Sequence, residues 1–181
     1  MRWKVQGAEN MPTEGPVILA INHVSIWDPV VAACCVSRQV SFMAKEELFS
    51  IPILGRIFSK LGAFPVKRGH GDMNAIRQSL AILKGGGVLG LFPEGTRSKN
   101  GEIQKGLPGM VLLMEKSQAS VVPVKIGGTW HIFTKGWGKI WVVVGKPLTA
   151  QMLKAPEGVD NRREWIADRI MQAMVELPEA R

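Results

Sequence analysis

The sequence predicts an α/β fold, a single domain in which a central mixed β-sheet is flanked by helices. Short apolar runs of strand length alternate with longer amphipathic stretches, the order that buries a sheet between helices. The 181-residue chain is 46% hydrophobic, enough to build one substantial core and too short for two ordinary domains. No repeat or low-complexity segment divides it, so residues 1–181 are read as one unit.

The first strand is Val17 to Ile21, an unbroken apolar run. Asp28 and Pro29 then supply a cap and a first-turn proline, which opens a helix over residues 28–36. Residues 40–44 are the next strand. Residues 49–60 read as one helix, because Ile53, Leu54, Ile57, Phe58 and Leu61 recur at three- and four-residue spacing, and residues 62–66 return as a strand. The clearest helix is 72–84. It opens on Asp72, gathers Met73, Ile76, Leu80 and Leu83 on one face, and stops at Gly85 and Gly86. Residues 88–92 form a fully buried strand and 107–116 a helix. Strands at 121–126 and 140–144 and a helix at 161–175 follow, the last with Asn161 and Glu164 as its capping box. The run GGGVLG, Gly85 to Gly90, has the letters of a dinucleotide fingerprint in the reverse structural order, after a helix and into a strand. It reads as a helix stop and a closely packed strand.

The 23 Lys and Arg residues outnumber the 15 Asp and Glu, and the formal charge of +8 points to an anionic partner: phosphate, nucleic acid or acidic lipid. Nucleic acid is disfavoured, since the basic residues are spread out, Tyr is absent and no recognition-helix or RNA-binding pattern occurs. The longest weakly charged stretch, residues 15–37, contains Asn22, His23, Asp28 and two prolines, wrong for a membrane-spanning helix of roughly 20 apolar residues. Membrane contact is therefore expected to be peripheral. The N-terminus, MRWKVQGAEN, shows no apolar signal core, and a cytoplasmic address is expected. Cys34 and Cys35 are too cramped for an ordinary disulfide and too poor in companions for zinc, so both are expected to be buried packing residues. His70 and His131 have no metal-spaced partners, and no metal is expected.

In NHVSIWD, residues 22–28, a histidine and an aspartate stand five positions apart between a buried strand and a helix, where side chains leave the end of the sheet. Histidine can take a proton from a hydroxyl near neutral pH, and a carboxylate on its other ring nitrogen would hold the tautomer. The alternative is that Asp28 only caps its helix and His23 is a satisfied buried side chain. A carboxylate has two oxygens, so the two roles are compatible. No serine or cysteine sits in a nucleophile elbow, and direct attack by a substrate hydroxyl is the simpler chemistry. In LFPEGTRS, residues 91–98, a strand ends in a turn at Gly95, where backbone N–H groups, Thr96 and Arg97 can converge on an anion. A plain turn with Glu94 paired to Arg97 is the alternative. Lys67 and Arg68, in AFPVKRG, are either a phosphate clamp or a solvated turn.

Taken together and in order, NHVSIWD, GAFPVKR, FPEGTRS and VVPV resemble the four blocks of the glycerolipid acyltransferase family, whose usual member is lysophosphatidic acid acyltransferase. The blocks span about residues 22–124. The resemblance implies that His23 is the base and Asp28 its orienting partner. It also implies that Lys67, Arg68 and Arg97 hold the acceptor phosphate, that Glu94, Gly95 and Thr96 shape the pocket, and that Pro123 supports it. The expected reaction moves a fatty acyl group to lysophosphatidic acid and forms phosphatidic acid. The acyl donor it implies is a thioester of coenzyme A or acyl carrier protein, with no further cofactor, and thiolate leaves without a dedicated acid. Work at the inner face of the cell membrane is expected. With only about sixteen residues before the first strand, the N-terminal helical pair of longer relatives is not expected. Phe49, Ile51, Ile53, Leu54, Ile57 and Phe58, flanked by Lys45, Arg56 and Lys60, form one candidate lipid surface or a core-facing helix. Trp130, Trp137 and Trp141 with Lys135 and Lys139 form another, or plain packing. Two other functions stay open, an acyltransferase for a different lipid acceptor and a non-catalytic protein that binds anionic membrane.

Overall fold

The computed structural model describes residues 2–60, 62–66, 72–132 and 139–180. Its strands are β1 (Arg2–Gln6), β2 (Val17–Ile21), β3 (Val40–Lys45), β4 (Phe64–Val66), β5 (Val88–Leu91), β6 (Ser120–Gly127) and β7 (Lys139–Val144). The helices are α1 (Asp28–Cys34), α2 (Glu46–Phe49), α3 (Pro52–Lys60), α4 (Met73–Lys84), α5 (Gly109–Ser117) and α6 (Arg162–Val175). Among the described residues the strands form one sheet in the order β1-β7-β6-β2-β5-β3-β4. β6, β2, β5, β3 and β4 run parallel, while β7 is antiparallel to β6 and β1 follows β7. The sheet is mixed, as the sequence predicts.

β2 lies at the centre of the parallel part, and all five of its residues are buried. Parallel strands covered on both faces read as continuous apolar runs, which VILAI does. Its side chains alternate between two cores. Val17, Leu19 and Ile21 pack with Val31 and Ala32 of α1. Ile18 and Ala20 pack with Leu83 of α4, Val111 and Met114 of α5, and Ile166 and Ile170 of α6. Each fully buried aliphatic side chain contributes about 1.5–3 kcal/mol relative to exposure.

Several boundaries correct the sequence expectations. Residues 49–60 are not one helix but the end of α2 and all of α3, because Pro52 disfavours helical geometry at Ile51. Only Phe64–Val66 of the expected 62–66 strand pairs, since Gly62 is in a left-handed turn with φ of 80°. α1 stops at Cys34, short of Val36. Its cap position is Trp27 rather than Asp28. α5 begins at Gly109, after Pro108, and ends where Gln118 turns left-handed with φ of 57°. β1 is an edge strand that the sequence reading left unassigned. Its residues RWKVQ are short and charged, as an edge strand tolerates. The glycine run does what was expected of it. Gly85 and Gly86 end α4, and a Cβ on Gly90 would come within 2.2 Å of the Phe42 ring. The cysteines divide: Cys35 is buried, but Cys34 is exposed, against expectation, on the outer side of the last turn of α1. No helix among the described residues is long and apolar enough to cross a membrane.

Candidate active site

The parallel strands release their chains at one edge of the sheet, and the two central motifs meet there. Asn22, directly after β2, pairs side chain to backbone with Ile126 of β6. Its amide N donates to the carbonyl at 3.0 Å, and its oxygen accepts from the N–H at 2.7 Å. This bidentate clamp fixes where the chain leaves the sheet. His23 follows. Its backbone N–H donates to Glu94 Oε1 at 2.8 Å and its carbonyl accepts from Ser98 N at 2.7 Å, so the second motif grips the first from both sides. The imidazole stacks on Phe92 with centroids 4.0 Å apart, and Phe92 stacks in turn on Phe42 at 6.1 Å.

The ring's Nδ1 lies 2.9 Å from Asp28 Oδ2. The same oxygen accepts from the N–H groups of Val24 and Ser25, each at 2.7 Å. Oδ1 accepts from the Thr129 hydroxyl at 2.6 Å. Asp28 thus folds back over the 24–25 turn instead of capping its own helix, and both it and Thr129 have no exposed surface. A carboxylate only accepts, so the ring nitrogen facing it carries the proton and Nε2 presents a lone pair. The His23 side chain keeps 13% of its surface open. The arrangement has the parts of a general base: a held ring, a set tautomer and an acceptor nitrogen on a partly open side chain.

Glu94 is buried and spans two chain segments, since its Oε2 also accepts from Gln104 N at 3.1 Å. Burial raises its pKa above the ordinary carboxylate value. The two backbone N–H groups and His23 oppose that shift, and Asp28 adds to it. Glu94 is therefore a brace for the His23 backbone, and the Glu94–Arg97 pair weighed from sequence does not form. Gly95 turns with φ of 71°, and a Cβ there would meet Leu107 at 2.8 Å. Thr96 and Arg97 are exposed beyond that turn. Pro123 is placed differently from the other site residues. It is buried within β6 opposite Ala20, inside the sheet rather than at the strand ends. Lys67 and Arg68 lie outside the described residues, as do Lys135 and Trp137.

A profile of the acyltransferase family matches residues 2–127, which include every one of these contacts except those of Thr129. The chain belongs to the acyltransferase family. It is 32% identical over 150 residues to a 1-acyl-sn-glycerol-3-phosphate acyltransferase of Bacillus subtilis, an alignment covering 80% of this chain and 73% of that protein. A chloroplastic 1-acyl-sn-glycerol-3-phosphate acyltransferase of Arabidopsis thaliana is 30% identical over 153 residues, 80% of this chain and 43% of its own length. The chain thus spans about half the length of the chloroplast relatives it matches. The crystal structure of the 1-acyl-sn-glycerophosphate acyltransferase PlsC from Thermotoga maritima superposes with a TM-score of 0.73. That match has 26% identity and covers 99% of this chain and 73% of the other.

Sequence reading missed Thr129. It is 101 residues from Asp28, so no local spacing links them. The signal it did leave is its place just past β6, where the parallel strands point their ends.

Proposed function

We propose that this acyltransferase moves a fatty acyl group from a thioester, on coenzyme A or acyl carrier protein, to the free hydroxyl of lysophosphatidic acid. The product is phosphatidic acid. The observation that supports this most is the buried Asp28 carboxylate held against Nδ1 of a partly open His23. Nε2 takes the hydroxyl proton as the acceptor oxygen attacks the thioester carbonyl carbon. Asp28 steadies the imidazolium that forms. The tetrahedral intermediate collapses, the C–S bond breaks and the ester remains on the acceptor. The proton on Nε2 then passes to the departing thiolate, so no other acid is needed. The thioester is the only co-substrate in this scheme.

Arg97, exposed on the turn beside the base, binds the acceptor phosphate, a role its planar guanidinium suits. Lys67 and Arg68, in GAFPVKR, the second of the four family-like blocks, complete that grip. Gly95 and Thr96 line the entrance, and Glu94 holds the wall in register. The relatives named for the same acceptor support this choice of substrate. A net charge of +8 supports peripheral contact with an anionic membrane, at the inner face of the cell membrane, as the setting.

The test is thiol release from acyl-coenzyme A and from acyl carrier protein, with and without lysophosphatidic acid. Release that requires the lysolipid is expected, together with an acceptor KM raised roughly tenfold or more by Arg97→Ala. Release at the same rate without lysolipid contradicts the acceptor assignment, and an unchanged KM removes Arg97 from the phosphate site.

A further inference from the structure

α3 presents an apolar residue, Ile53, to solvent. Gly55 is buried, and its backbone abuts Phe49 so closely that a Cβ would lie 2.3 Å from the Phe49 carbonyl oxygen. Residues two apart on a helix project about 200° from one another, so Ile53 points away from the protein, opposite Gly55. It is 74% exposed, and Ile51 just before the helix is 46% exposed. A core-facing helix would bury Ile53 first. Arg56 and Lys60 stand three and seven positions after Ile53 and share its outward side. Both are exposed, and α3 contains no acidic residue. Glu46 and Glu47 belong to α2, across the break at Ile51. The side chains of Leu54 and Ile57 lie outside the described residues.

The location extends this pattern. α3 follows the end of β3 at the same edge that releases His23 from β2, Glu94 from β5 and Thr129 from β6. The segments beside the site also expose Ile26, Trp27 and Trp130. Arg56 and Lys60 line an open groove of about 500 Å³ together with Phe49, Pro52, Gly55 and Ser59. An outward isoleucine with cations on its own helical face matches an interfacial helix, whose apolar side chains enter the acyl region while Lys and Arg reach phosphates.

We infer that α3 docks this chain on an anionic phospholipid bilayer, with Ile51 and Ile53 in the acyl boundary and Arg56 and Lys60 on headgroup phosphates. The inference rests on the lipid-acyltransferase reading for its purpose, since the docked edge is the one that would receive a lysolipid, but its geometry is independent. The cations favour an anionic lipid surface over a second copy of this chain, which is itself basic.

Sedimentation with phosphatidylcholine vesicles, with and without phosphatidylglycerol, tests it without turnover. The native chain is expected to bind the anionic vesicles and to release at high salt. Ile53→Asp, at an exposed site, should weaken binding by roughly tenfold or more. The double variant Arg56→Glu, Lys60→Glu should do the same. Met152→Asp serves as the control. Met152 is 65% exposed in a segment beyond Leu148, which pairs with Val121 at the opposite edge, and this variant should bind as the native chain does. Equal binding by Ile53→Asp, or none by the native chain, overturns the inference. So does a native dimer, seen by light scattering, that Ile53→Asp dissolves. Vesicle binding without thiol release contradicts the proposed reaction alone. Turnover of a soluble short-chain lysophosphatidic acid without vesicle binding contradicts the docking alone.

Discussion

Asp28 receives hydrogen bonds from two distant parts of the chain: the 23–25 segment, through the His23 ring and the Val24 and Ser25 amides, and Thr129. An acceptor pinned at both oxygens cannot swing, so the imidazole it holds is fixed as well. Thr129→Val removes one donor at nearly constant volume. The expected outcome is a kcat lower by roughly tenfold, on the order of 1.4 kcal/mol of transition-state stabilisation, with KM unchanged. Thr129→Ser keeps the hydroxyl and should restore most of the rate, which a packing role for the methyl group would not allow. Steady-state kinetics on the two variants reads the difference. Glu94→Gln leaves one of the two backbone N–H groups facing the side-chain NH2, which cannot accept, so urea unfolding should show a loss of about 1–3 kcal/mol. The sign with pH follows from the raised pKa. The folded state holds the Glu94 proton more tightly than the unfolded chain, so native stability from this group is greatest below the ordinary carboxylate range. It falls as pH rises through that range to the raised value. The gap between native protein and Glu94→Gln should therefore be wider in acid than at neutral pH. For the cysteines, burial pushes the Cys35 thiol up to about 11, leaving it protonated and enclosed at neutral pH. Alkylation of the folded protein followed by mass analysis should mark Cys34 and spare Cys35. At this scale His23, Asp28, Glu94 and Arg97 were all legible as candidates, because motif residues cluster in sequence. The function of Glu94 as a brace was not, because its partners are backbone N–H groups, which every residue but proline possesses.

The elements transmit precision to the site. β5 passes Phe42 of β3 at Gly90, the Phe42 ring lies against Phe92, and Phe92 lies against His23. Gly90→Ala inserts a methyl group where the Phe42 ring already sits. Overpacking of this kind costs about 1–3 kcal/mol. Because the displaced ring leads to His23, kcat is expected to fall along with thermal stability, although the added methyl group would meet Phe42 and not His23 or Asp28. A stability loss with kcat intact would show that the aromatic stack does not position the ring. The helices with clear caps were the ones placed well from sequence. Asp72 accepts from the N–H groups of Asn74 and Ala75 at the start of α4, and Asn161 accepts from Glu164 at the start of α6. The 49–60 segment was misread because its apolar spacing continues through Ile53, while the proline at 52 acts on the residue before it. β1 escaped notice for a related reason. An edge strand pairs on one side only, so its composition answers to solvent as much as to the core.

At the scale of the whole molecule, the order of the strands decides what the motifs can do together. β2 lies between β5 and β6, so the loops after these strands close around one point, although they are separated by scores of residues in the chain. Alternation of apolar runs and amphipathic segments made the sheet and its two covering layers predictable. It could not supply the strand order, which depends on pairing between distant segments, and so it could not bring Thr129 to Asp28. The same order brings α3, with its exposed Ile53, Arg56 and Lys60, to the edge of the sheet where His23, Glu94 and Thr129 leave their strands. The most direct test of the central claim is the acceptor-dependent rate of thioester consumption by His23→Ala beside the native chain, with circular dichroism to confirm the fold. Loss of a positioned general base should lower kcat by roughly 10²–10⁴-fold with the acceptor KM little changed. A folded His23→Ala protein that turns over within a few-fold of the native rate would contradict the account.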